Sequence, residues 1–197
     1  MSNPSTYEVI LDTSYRLFAE QGFEKTSMAM IAKELDVSKP ALYYHFSSKE
    51  ALIDKLFEEI CRSIGFHVYF QLENYTAKNF GARLTSDGLN MIHTQREDEH
   101  YTRIMNQYQA LGYRDPKYAR QLVGILEGFT SGFTELLNYG VSIGAFPEGN
   151  LGVQAQMLTM IIDSMDNFMS YGLEYDYEVI WTQAVNQVMT GAEGNEL

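Results

Sequence analysis

Apolar side chains recur along this chain at a spacing of three to four residues, strand-type alternation is absent, and Gly and Pro fall between the periodic stretches. That pattern predicts an all-α protein. A first helix runs from about Thr6 to Gln21 with Ile10, Leu17 and Phe18 toward a core; Gly22 suits a left-handed C-terminal turn, and Phe23 covers that core. A second helix follows Thr26 or Ser27 as N-cap, carries Ile31, Ala32 and Leu35 on one face, and breaks at Asp36-Val37. Ser38 caps a third, whose first turn tolerates Pro40 and which ends near Phe46. Ser47 to Glu50 fits a capping box that opens a long fourth helix through Leu52, Ile53, Leu56, Phe57 and Ile60. Further helices are predicted at about 79 to 95, 98 to 110, 117 to 143, 150 to 172 and 176 to 190, with Asn150 and Asp176 as N-caps. No repeat or flexible tether stands out, so the expected organisation is a three-helix head, residues 1–48, joined by the fourth helix to a larger helical body, residues 49–197.

Charge sharpens this division. The chain carries a formal net charge of -12, which excludes nonspecific coating of nucleic acid, because phosphate neutralisation needs local Lys and Arg. Between residues 25 and 49, however, Lys25, Lys33, Lys39 and Lys49 outnumber Glu34 and Asp36, whereas acids outnumber bases two to one beyond residue 61. The pattern suggests a small DNA-facing head on an acidic body. A single cysteine, Cys61, excludes an internal disulfide and a thiolate zinc cage. Met1 to Thr6 carries no basic run and no stretch of about 20 apolar residues occurs, so a cytoplasmic protein without membrane attachment is expected.

Two short helices joined by Leu35-Asp36-Val37-Ser38 and backed by an N-terminal helix make the arrangement a helix-turn-helix needs. From Ser38 to Lys49 the polar face offers hydrogen-bond donors in Lys39, Tyr43, Tyr44, His45 and Lys49. The stretch from Thr26 through Ile31-Ala32-Lys33-Glu34-Leu35, Val37-Ser38-Lys39-Pro40-Ala41-Leu42-Tyr43-Tyr44-His45-Phe46 and Lys49-Glu50-Ala51-Leu52 resembles the DNA-binding signature of the tetracycline-repressor (TetR) family. The likeness reaches back through Ile10-Leu11-Asp12 and Leu17 to Phe23, covering about the first 57 residues.

The resemblance implies roles by position. Thr26 and Ser27 open the second helix, where hydroxyls and free amides suit a phosphate. Lys39, Pro40 and Ala41 form the turn that points at base edges, with Lys39 donating to guanine and Ala41 touching a thymine methyl. Tyr43 and His45 become groove or phosphate contacts, Lys49 a phosphate anchor, Leu42 and Phe46 core; Tyr44 either reads DNA or covers the seam between the first and third helices. Family members often carry Arg or Lys before the first helix, whereas Ser2, Asn3, Pro4, Ser5 and Thr6 are neutral here. That loss predicts a shallower salt dependence, by about 0.9 per missing phosphate contact.

A recognition helix of this size reads few base pairs, so a homodimer on a (pseudo)palindromic double-stranded DNA operator is expected. The resemblance assigns the interface to the last two helices, with Met157, Met160, Ile161, Met165 and Phe168 on one and Ile180, Ala184 and Val188 on the other. It also implies a small-molecule inducer bound in the body. The aromatic and thioether residues Tyr69, Phe70, Met91, Tyr101, Met105, Tyr108, Phe129 and Phe133 are candidate pocket walls beside the plainer reading as core. His93, Glu97 and His100 stand at i, i+4 and i+7, a spacing that metal ligands use, although Glu97-Asp98-Glu99 reads more simply as a solvated helix start. No metal or cofactor is expected. No nucleophile-base pair or phosphate loop occurs, which argues against catalysis. The expected function is a DNA-binding regulator, a repressor released by a small, largely apolar ligand. A helical interaction module that kept the helix-turn-helix shape and lost DNA affinity is the alternative.

Overall fold

The computed structural model describes residues 5–190, and among them every regular element is helical. In chain order these are α1 Thr6–Gln21, α2 Met28–Glu34, α3 Lys39–His45, α4 Lys49–Ser63, the single turn α5 Phe66–Tyr69, a 3₁₀ turn Leu72–Asn74, α6 Phe80–Glu97, α7 Tyr101–Gly112, α8 Pro116–Ser142, α9 Leu151–Ser170 and α10 Tyr177–Thr190. All nine predicted helices are present, and the fold is all-α as expected. The neutral residues Ser2 to Pro4 lie outside the described region.

Local chemistry explains the helix starts. Ser5 and Glu8 form a full capping box on α1, while Ser27, Ser38 and Asn150 each accept an amide of the following first turn. At α4 the cap falls one residue later than expected: Ser48, not Ser47, accepts the Ala51 amide at 3.0 Å. The Glu50 carboxylate bonds its own amide and Ser48, which holds it below the usual carboxylate range. Gly22 ends α1 at φ 88 and ψ 156, extended backbone of opposite hand and not the expected left-handed helical turn. Asp36 takes φ 53 between α2 and α3, a left-handed conformation that Asp tolerates better than most residues.

The chain divides into two compact units. The first comprises residues 1–63 with 98–121, and the second 64–97 with 122–197, so the line of packing differs from a boundary at residue 48. In the first unit Phe18, Phe23, Ile31, Leu42, Leu52 and Phe57 are buried. The Tyr108 ring stacks on Phe57 at 4.1 Å, and its hydroxyl donates to the Ile53 carbonyl at 2.8 Å. Gln107 on α7 donates to the Phe18 carbonyl, which also accepts the Gly22 amide, and accepts the Phe23 amide, both Gln107 bonds at 2.7 Å. In the second unit α6, α8, α9 and α10 surround Leu84, Phe133, Leu137, Leu158, Trp181 and Val185. The buried carboxylate of Asp87 in this unit is satisfied by the Tyr75 hydroxyl at 2.8 Å and by Arg83 at 2.9 Å.

Candidate nucleic-acid interface

The α3 helix turns its apolar side inward and leaves its polar side open. Leu42 is fully buried and Phe46 nearly so, stacked on the Tyr7 ring at 5.4 Å. The intervening positions Lys39, Pro40, Ala41, Tyr43, Tyr44 and His45 are all exposed. A seven-residue helix held by two inward anchors thus presents a cation, a proline, a methyl group and three ring donors on one surface. Tyr44 is 87% exposed, so it does not cover a seam between α1 and α3; its ring stands edge-on to His45 at 5.4 Å. Ser27 is exposed; its oxygen accepts the Met30 amide at 3.3 Å, which leaves its proton free for an acceptor.

Two expected DNA contacts are turned inward instead. Thr26 is buried and its hydroxyl bonds to the Leu17 and Gly22 carbonyls at 3.2 and 2.9 Å. Lys49 is half-buried and donates to the Phe23 and Thr26 carbonyls at 2.8 and 3.2 Å. Their polarity fastens the α1–α2 loop to the start of α4 and does not face a phosphate. Sequence spacing could not distinguish these uses, because a loop carbonyl and a phosphate oxygen make the same demand on a donor. Conversely, Lys25, Lys33 and Lys39 are exposed and have no ion-pair partner among the described residues. Lys25 and Lys33 therefore join the candidate phosphate contacts, a role that only their contribution to the local charge had indicated.

The other predicted sites are rearranged. Tyr101, Met105 and Tyr108 are buried in the first unit, whereas Tyr69, Phe70, Met91, Phe129 and Phe133 belong to the core of the second, so the eight do not line one chamber. Phe70 also borders an open cleft of about 400 Å³ with residues of α5, the 3₁₀ turn and α8. On α9 and α10, Met157, Met160, Ile161, Met165, Phe168 and Ile180 line an apolar groove of about 570 Å³ together with Val153 and Tyr175. Met160 is 69% exposed. Ala184 and Val188 instead face the core of their own unit. Since α6 ends at Glu97, His100 is not on one helix face with His93, and His93 bonds Glu178 at 2.8 Å. Among the described residues no group of His, Cys, Asp and Glu converges as metal ligands do. Burial and neighbouring Glu58 push the Cys61 thiol up to about 11, away from a reactive thiolate. No described helix is long and apolar enough to cross a membrane.

Comparison with known proteins supports the head. Residues 10–56 match the family described as bacterial regulatory proteins, tetR family. Over 46 residues the chain is 54% identical to the uncharacterized HTH-type transcriptional regulator YerO of Bacillus subtilis, covering 23% of this chain and 16% of that protein. It is 39% identical, also over 46 residues, to the biofilm operon icaADBC negative transcriptional regulator IcaR of Staphylococcus aureus, covering 23% of this chain and 25% of that one. The matched stretch thus spans a quarter or less of these relatives. In fold, the chain is similar to the transcriptional regulator FadR of Bacillus subtilis in complex with stearoyl-CoA, with a TM-score of 0.69 and 20% identity over 94% of this chain and 99% of that one. Residues 10–56, which hold the outward face of α3 and its buried anchors, are thus similar to the tetR family of bacterial regulatory proteins, and the all-helical chain is similar in fold to FadR.

Proposed function

We propose that this protein is a homodimeric, ligand-responsive transcriptional repressor that binds a (pseudo)palindromic operator through α3. The carrying observation is the outward face of that helix, Lys39, Pro40, Ala41, Tyr43, Tyr44 and His45, held by buried Leu42 and Phe46 within the stretch that matches the family. Ser27, Lys25 and Lys33 supply the phosphate contacts that fix its register. Support for dimerisation comes from the apolar groove of α9 and α10, a surface costly to leave in water. IcaR is named a negative regulator, and FadR of Bacillus subtilis was crystallised with stearoyl-CoA; repression and a ligand are proposed here on that likeness. Ligand and DNA are coupled only through the ligand's unequal affinity for the two states of the protein.

Fluorescence anisotropy with duplexes tiled across the DNA upstream of the protein's own gene tests this reading. One duplex is expected to bind about a thousandfold tighter than a scrambled control, and Lys39→Ala to weaken that preference. Equal affinity for all duplexes at 50 mM salt or below overturns it.

A further inference from the structure

The cleft beside α5 has a chemistry unlike the apolar groove. Its floor is aromatic: Phe66 and Phe70 stack with centroids 4.8 Å apart, and Phe66 meets Phe133 edge-on at 5.0 Å. Gly132 makes this floor possible. A Cβ there would stand 2.3 Å from the Phe66 ring, so only glycine lets the ring lie against the α8 backbone. The rim is acidic. Glu73 from the 3₁₀ turn and Glu135 from α8 both border the cleft, both are exposed, and neither has an ion-pair partner among the described residues. His67 is the sole lining residue able to carry positive charge.

Among the described residues no cation pairs with these two carboxylates, and in their unit Lys78 and Arg96 form no ion pair. The sequence contains no lysine or arginine after Arg120, and in the second unit Arg83 is engaged by Asp87. A volume of about 400 Å³ lies in the range of small-molecule sites. Aromatic rings attract a cation through the negative potential of their faces, and carboxylates add to that attraction; the same rim repels carboxylates and phosphates.

We propose that this cleft binds an organic cation: an alkyl- or arylammonium whose apolar part rests on the half-buried Phe66 ring, itself stacked on buried Phe70, and whose charge sits between Glu73 and Glu135. The assignment rests on the ligand-responsive reading only for its consequence at DNA; occupancy of the cleft stands apart from it.

The test compares (4-hydroxyphenyl)trimethylammonium with 4-tert-butylphenol, its uncharged isostere, by isothermal titration calorimetry on the DNA-free protein. The cation is expected to bind at least about tenfold tighter than the isostere, a difference of the size cation–π and carboxylate contacts provide. In the exposed double variant Glu73→Gln/Glu135→Gln that preference falls below about threefold while the isostere's affinity stays unchanged. Equal affinities in the unaltered protein, or a preference that survives the double variant, overturn the site. Anisotropy on the operator separates the two readings. Loss of operator affinity with the cation in the unaltered protein but not in the double variant supports control through this cleft. Unchanged operator affinity at saturating cation overturns that control and leaves the binding site standing.

Discussion

Lys49 directs its ammonium at two carbonyls of its own chain, and Lys39 directs its own at solvent. The two lysines therefore separate by experiment. Lys49→Met leaves two half-buried acceptors without a donor and is expected to lower stability by about 2 kcal/mol in urea unfolding, with little effect on the preference for the operator. Lys39→Ala is expected to leave stability unchanged and to reduce the preference for the operator over scrambled DNA by about 1 to 3 kcal/mol per half-site. Similar behaviour of both variants in both assays would refute the division. Asp166 supplies a second residue-scale prediction. Burial, and after it the charge of Asp163, raise its carboxyl from 3.8 to about 6. The folded state thus holds a proton that the unfolded chain releases, a contribution full below pH 3.8 and lost as the pH rises to 6. Asp166→Asn is expected to stabilise the protein by about 1 to 2 kcal/mol at pH 7.5 and to be neutral at pH 3.5; calorimetric melting at the two pH values decides it.

At the scale of elements, α6 and α10 pack closely around Trp181. Trp181 is fully buried, donates from Nε1 to the Leu84 and Thr85 carbonyls at 3.3 and 3.2 Å, and lies where a side chain on Gly88 would be. A Cβ at Gly88 would stand 2.1 Å from that nitrogen. Gly88→Ala must displace the largest ring of the core and is expected to cost about 3 kcal/mol or more. Gly81→Ala is the matched control, since its Cβ would meet only the flexible Met189 side chain at 3.1 Å. Comparable denaturation midpoints for the two variants would contradict this account. Helix boundaries were legible where a cap is a single residue in a strong pattern, as at Ser38 and Asn150. They were ambiguous where two hydroxyls adjoin, as at Ser47-Ser48. The α5 and 3₁₀ turns escaped the periodicity because one turn contains no period.

For the molecule as a whole, the groove on α9 and α10 predicts the assembly state. Met160→Asp puts a charge in the middle of an exposed apolar face, away from the core of its own unit. It is expected to weaken dimerisation by about 2 kcal/mol or more, roughly thirtyfold, and to lower operator affinity with it, because a single head reads one half-site. Light scattering after size exclusion measures the first and anisotropy the second. A variant that remains dimeric and binds DNA normally would place the interface elsewhere.

The sequence by itself determined the nine longer helices of the described residues, the pair of short helices α2 and α3 with their joining turn, and the outward face of α3. These depend on periodicity, caps and local charge, which act within a few residues. It also indicated which ends of the chain are apolar enough to pair. Only the tertiary structure decided which polar side chains turn inward, because Thr26 and Lys49 meet their carbonyl partners through the packing of α1, the α1–α2 loop and α4. The same holds for the aromatic residues: Tyr108 and Phe133 both stand at apolar positions of the sequence pattern, yet packing assigns them to different cores. The outward polar face of α3 was legible because its chemistry is local. The cleft at Phe66 was not, since Gly132 and Phe66 are neighbours only after folding.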